Sequence, residues 1–356
     1  MYATKSRLNN FDCLRLLLAV VVIFSHSFPL AGSESDEPFF RITNGQTTGG
    51  EIAVDLFFIM SGYLITGSFF HSASILDYLG KRIRRIYPGF ITCMLFGALL
   101  VVPLAGGVLT DSHKPVSFVA PLLLLNRFSQ TGAFSRNPFP YEVNGSVWTI
   151  PYEFGFYLGI LILGVSGALA RRALVSGMFL ASIVISIAFH IWVRPDSFEV
   201  SSHCAHLAPM YLAGVVAYLY RGRISYTRTG GVVCFLALWC ACVIPFAWAP
   251  LFPIAGAYVL FWTAFNQSIR FHGVGKRGDF SYGTYLYAFP LQQTIVGVWA
   301  KPINPLLLFL VATPLALVFG FASWHLIERP LLRVGKATNS RKKAELHRSL
   351  SISPGF

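Results

Sequence analysis

Charged residues are scarce in this sequence, at 12% of 356 positions, where a soluble domain typically carries about 25%. Acidic residues are scarcer still, with 15 Asp and Glu against 28 Lys and Arg, so the formal net charge is +13. With 54% hydrophobic residues, 32 Phe and a mean hydropathy of +0.60, the chain has more apolar surface than one water-soluble core can hide. That excludes a soluble globule, and it excludes disorder as well. Zinc-type cysteine pairs are also missing. Cys13, Cys93, Cys204, Cys234, Cys240 and Cys242 fall in or beside apolar stretches, and the C-x-C at 240 and 242 aims its thiols at different helix faces. The six therefore read as small hydrophobes, with no disulfide framework and no metal site expected. No A-x-A cleavage site follows the apolar run from Leu14 to Phe24, so that run is expected to be an uncleaved first span. There is no internal repeat and no low-complexity tract.

What is present in quantity is long apolar runs. A span needs about 20 apolar residues, and hydropathy gives ten candidates, at about 11–30, 52–70, 88–105, 147–168, 174–192, 207–220, 230–247, 250–267, 280–299 and 305–327. The expected fold is all-α, a polytopic transmembrane helical bundle filling residues 1–335, with a basic cytoplasmic tail at 336–356. The stretch FVAPLLLL at 118–125 is too short to cross and reads as re-entrant or interfacial. Placing the N-terminus in the cytoplasm puts 21 of the 28 basic residues on that side, six on the other and Arg15 inside a span. This is the excess of Lys and Arg that cytoplasmic loops carry, and it predicts that both termini are cytoplasmic. Topogenesis and anionic membrane lipid thus account for the basic charge, and nucleic acid is not an expected partner.

A charge at membrane depth costs several kcal/mol unless it is paired or faces water, so ionisable residues inside spans are functional candidates. Arg15 and His26 stand eleven positions apart on the first helix, about 20° from a whole number of turns and roughly 16 Å apart along its axis. They share one face, as two groups lining a polar cavity would, although Arg15 snorkelling to the interface and His26 capping a helix end also fit. Asp55 lies in the first turn of the second span and Glu153 two turns into the fourth, after the aromatic Trp148. His26, Asp55 and Glu153 are thus expected together in the outer half of the membrane. A histidine flanked by carboxylates is suited to taking a proton from a hydroxyl; the alternative is that the carboxylates pair with helix-end amides or an arginine. Four basic residues, Lys81, Arg82, Arg84 and Arg85, suit a stop-transfer signal. Arg82 and Arg85, three apart on a helix, also suit two guanidinium forks on one phosphate-bearing ligand.

The segments NFDCLRLLLAVVVIFSHSF (10–28), AVDLFFIMSGYLIT (53–66), KRIRRIYP (81–88), NGSVWTIPYEF (144–154), DFSYGTYLYAFPLQQ (279–293) and WHLIERP (324–330) resemble, in order, the signatures of the integral-membrane acyltransferase-3 family. The resemblance covers most of the chain. It implies acyl transfer, usually of acetyl, from cytoplasmic acetyl-CoA to a hydroxyl of a cell-envelope polysaccharide or an undecaprenyl-linked glycan, in the bacterial inner membrane. By the same resemblance His26 is the catalytic residue, acting as general base or carrying a covalent acyl group, with Arg15 as its motif partner. Arg82 and Arg85 are the expected contacts to CoA, the R-x-x-R element forming a loop, and Glu153 or Asp55 supports His26. The family's ninth-span histidine is replaced by Ala288, so its role is either absent here or supplied by Tyr285, Tyr287, Gln292 or Gln293; Trp148, Tyr285 and Gln292 are the expected substrate contacts. The chain resembles the stand-alone type that lacks an extra hydrolase-like domain. A transporter or flippase of a lipid-linked sugar or acyl group, with buried charges and Pro-interrupted spans, is the competing expectation.

Overall fold

The computed structural model describes residues 9–110, 114, 116–192, 199–266, 268, 278–299 and 301–333. The expected tail at 336–356 and the basic residues at 5, 7, 194, 270, 276 and 277 lie outside these. Within them the chain forms long helices, named here α1 (Phe11–Leu30), α2 (Gly49–Phe70), α3 (Ile75–Phe96), α4 (Thr149–Val165) and α5 (Arg172–Trp192). The remainder are α6 (Glu199–Leu219), α7 (Arg228–Val243), α8 (Trp248–Phe265), α9 (Ser281–Val298) and α10 (Pro305–Ser323). One two-stranded antiparallel ribbon, Val108–Leu109 with Gln130–Thr131, sits in the long connection after α3. Among the described residues seven helices are long and apolar enough to cross a membrane. α6, α7 and α9 fall outside that set; α7 has only 16 residues, and α9 carries the buried polar side chains Thr284, Gln292 and Gln293.

Helix starts follow their capping residues. Thr48 and Glu51 form a reciprocal capping box at α2, and the buried Glu37 carboxylate accepts from the Gly49 and Phe40 amides. Ser74 caps α3, and Asp77 pairs with Lys81 one turn later at 2.7 Å. These contacts extend α3 back to Ile75, so Lys81 to Arg85 lie inside a helix, as the spacing of Arg82 and Arg85 suggested, and not in the loop that the family resemblance implied. α6 likewise begins eight residues before the expected span, which brings His203 and His206 onto a helix. The segment around residue 118 forms a short helix, Val116–Leu123.

α1 packs against α2, α9 and α10, and two glycine contacts set the spacing around it. Where α2 crosses α6, a Cβ added at Gly62 would lie 3.0 Å from the Tyr211 carbonyl carbon, and one at Gly214 would lie 2.8 Å from the Tyr63 nitrogen. Where α9 crosses α10, a Cβ at Gly283 would lie 2.9 Å from the Gly320 Cα. These are backbone-to-backbone approaches that only a residue without a side chain allows. Gln293 fastens the long connection to α9, its amide donating to the Phe139 and Glu142 carbonyls while its oxygen accepts from Asn137.

Candidate active site

Two cavities lie between these helices and share the wall residues Val54 and Tyr285. The first, of about 140 Å³, is lined by Arg15, Arg82, Arg85, Glu153, Tyr157 and Tyr282 among others. The second, of about 340 Å³, is lined by His26, Glu34, Trp148, His203 and His206 among others. Arg15 and His26 therefore do lie along one face of α1, and each fronts a different chamber.

The arginine chamber is organised by an aspartate at the start of the DFSYGTYLYAFPLQQ segment, to which the sequence reading gave no role. Asp279, two residues before α9, accepts from Arg15 at 3.0 Å and from Arg85 at 2.6 Å through one carboxylate oxygen. Ser281 donates to the other oxygen. Burial opposes ionisation of Asp279, yet Arg85 and Arg15 outweigh it and hold the carboxyl well below its usual range. Arg85 also approaches the buried Glu328 at 3.8 Å, and Glu328 accepts from Ser323. Arg85 is thus held by protein carboxylates on both sides. Arg82 is less engaged: it donates to Ser68 at 3.1 Å, lies between the Tyr78 and Tyr157 rings, and keeps a buried Nε with no partner among the described residues.

Glu153 belongs to this same chamber. The expectation that it joins His26 and Asp55 is corrected: its carboxylate accepts from Tyr157, and it lines the cavity of the three arginines. Five residues of helix carry it about 7.5 Å below Trp148, past the level of Thr149, whose hydroxyl meets that of Tyr285 at 3.0 Å.

Behind the wall of the histidine chamber Asp55 is fully buried, and its Oδ1 lies 2.8 Å from Nε2 of His206, which lines the chamber. His206 was missed in the sequence because the span containing it was drawn to start at residue 207; the H-x-x-H spacing of His203 and His206 was the available signal. His26 has no carboxylate partner, and its buried Nδ1 has no hydrogen-bond partner among the described residues. Its ring meets Phe289 edge-on at 5.4 Å. Trp148 stands over His203, with ring centroids 4.3 Å apart, and lines this chamber together with two neighbouring grooves. Tyr285 donates to the Ser146 carbonyl at 2.6 Å and forms part of the partition. Gln292 is fully buried and fastens α9 to α1 through the Ile23 carbonyl and the Ser27 hydroxyl.

The acyltransferase-3 family, described as an acyltransferase domain, matches residues 8–325. An O-acetyl transferase of Shigella phage Sf6 is 27% identical over 91% of this chain and 96% of its own length. Nodulation protein 10 of Rhizobium leguminosarum bv. viciae is 26% identical over 94% and 96%. The exopolysaccharide production protein ExoZ of Rhizobium meliloti is 28% identical over 83% and 93%. No solved structure matches the chain. A family match over nearly the whole chain, on a bundle with several helices fit to cross a membrane, has one reading: the chain belongs to the acyltransferase-3 family and is a multi-pass membrane O-acyltransferase.

Proposed function

We propose that this enzyme moves an acetyl group from cytoplasmic acetyl-CoA to a hydroxyl of a cell-envelope polysaccharide or its lipid-linked precursor, across the bacterial inner membrane. The observation that carries this reading is the pair of chambers meeting at Val54 and Tyr285. A guanidinium-lined chamber suits the anionic donor, with Arg82, which pairs with no carboxylate among the described residues and keeps an unpartnered Nε, suited to take a phosphate and Arg15 facing the acyl arm. The chamber beyond the partition suits the acceptor, with His26 as the catalytic residue and Trp148 as a face for a sugar ring. The ten long helices would then all span, with both chain ends on the arginine side, which the excess of basic residues on that side supports. A groove of about 620 Å³ beside Trp148, lined by Tyr152, Phe156, Val200 and Cys204, suits the lipid portion of a membrane-borne acceptor. The relatives named as an O-acetyl transferase and an exopolysaccharide production protein agree with the group transferred and with the class of acceptor.

The test is the ester-linked acetyl content of the host's surface glycan, read by proton NMR before and after mild base. A deletion strain is complemented with wild type or His26→Ala at matched membrane levels. Acetyl signals restored only by wild type are expected; equal acetylation in all strains refutes the reading.

A further inference from the structure

We propose that the base for the acceptor hydroxyl is His206, held by Asp55, and that His26 acts as a hydrogen-bond donor to the acyl carbonyl. This division of labour rests on the acetyl-transfer reading above and assigns its two imidazoles opposite roles.

The argument is one of tautomers. A neutral imidazole carries one N–H and one lone pair, and the partner of one nitrogen decides what the other can do. His206 presents Nε2 to the Asp55 carboxylate at 2.8 Å. A carboxylate only accepts, so the proton sits on Nε2 and the lone pair sits on Nδ1. Nδ1 has no hydrogen-bond partner among the described residues, and the side chain, 43% exposed, lines the histidine chamber. This is a base with its tautomer fixed and its lone pair open to the cavity, the arrangement in which a buried carboxylate orients a histidine and steadies the imidazolium that forms.

His26 has the opposite arrangement. Its Nδ1 is enclosed and unpartnered, whereas Nε2 is not among the enclosed, unpartnered nitrogens. Enclosing an N–H without an acceptor is the more costly choice, since orphaned buried donors are rarer than under-satisfied acceptors. The proton therefore belongs on Nε2, facing the cavity, where His26 can donate but cannot accept. Among the described residues no carboxylate is in ion-pair or hydrogen-bond contact with His26, although Glu34, Glu37 and Glu51 line the same chamber; Glu153 is in the other chamber and Asp55 is bonded to His206. A fixed N–H aimed at a reacting carbonyl stabilises the oxyanion that develops there.

The step then balances. The acceptor oxygen bonds to the acyl carbon while its proton passes to Nδ1 of His206. Negative charge on the carbonyl oxygen is met by Nε2–H of His26. The carbon–sulfur bond breaks, and its electron pair leaves on the CoA sulfur. Asp55 is a positioning residue that acts through His206.

The experiment uses full-length protein in nanodiscs, with radiolabelled acetyl-CoA and the host's surface glycan stripped of esters by mild base. His206→Gln is expected to lower kcat by about 10²–10⁴-fold with the KM for acetyl-CoA unchanged, and imidazole added to His206→Gly is expected to restore part of the rate. Asp55→Asn should lower kcat alone and add nothing further in the His206→Gln background. His26→Gln, which keeps an N–H, should retain at least tenfold more activity than His26→Leu. Protection of each variant against thermal unfolding by acetyl-CoA checks folding, and His206→Asn is the second variant should Gln disturb packing. Near-wild-type transfer by His206→Gln, or His26→Gln as inactive as His26→Leu, overturns the assignment. Absence of transfer by the wild type refutes acetyl transfer itself, a separate failure.

Discussion

Replacing Gly214 by Ala tests the link between helix packing and the site. A Cβ there would run into the Ile59 carbonyl oxygen and stand 2.8 Å from the Tyr63 nitrogen and 2.9 Å from the Ile59 carbonyl carbon, where ordinary contact begins near 3.4 Å. The obstructing atoms are the backbone of α2, which cannot swing aside as a side chain can. The helices must part by more than half an ångström, and overpacking of this kind costs about 1–3 kcal/mol. α2 carries Asp55 and α6 carries His206, so parting them stretches a 2.8 Å hydrogen bond toward the limit of useful geometry. Gly214→Ala should therefore lower both thermal stability, followed by tryptophan fluorescence in detergent, and acetyl transfer. Gly159 and Gly177 supply the control, because a Cβ at either meets nothing within 4 Å. Alanine there should be neutral or stabilise by about 0.5–1 kcal/mol through helix propensity. If Gly214→Ala unfolds at or above the wild-type temperature, as these controls should, the close crossing is not what spaces the two helices.

Asp279→Asn should destabilise by about 3–5 kcal/mol, since two guanidiniums lose a shared buried carboxylate. The folded-state value of Asp279 is depressed below its ordinary 3.8, so its contribution is present above about pH 4 and is lost as pH falls through the lowered value. Unfolding midpoints of wild type and Asp279→Asn should hence differ by a constant amount from about pH 8 to about pH 5 and converge only in stronger acid; convergence already by pH 5 contradicts the pairing. Arg82 and Arg85 should separate by assay. Arg82→Ala should raise the KM for acetyl-CoA by about 10- to 150-fold, the worth of one charge-assisted bond, with the fold retained. Arg85→Ala should show mainly as lost thermal stability, because it leaves buried Glu328 without a guanidinium and Asp279 with Arg15 alone.

The membrane class and the family motifs were legible in the sequence, because apolar run length and residue spacing are local properties. The single face shared by Arg15 and His26 was legible for the same reason, since helical period fixes direction within one helix. Glu153 was misplaced by a matter of depth: its position depends on where the partition of Thr149 and Tyr285 falls, and that is set by how α9 meets α4. The helical spacing of Arg82 and Arg85 was read from the sequence, against the loop that the family resemblance implied, and the Ser74 cap and the Asp77–Lys81 pair are what carry the helix back to Ile75.

By itself, then, the sequence determined that this chain is a bundle of apolar helices carrying a few costly polar groups, and that Arg15 and His26 share one face of the first. Which of those groups meet was decided only in three dimensions. Asp55 and His206 are separated by 151 positions, and Asp279 and Arg85 by 194. Asp55 and His206 are brought together by the glycine crossing of α2 and α6, whose consequence is steric and long-range, so no local spacing encodes the pairing of Asp55 with His206 in place of His26.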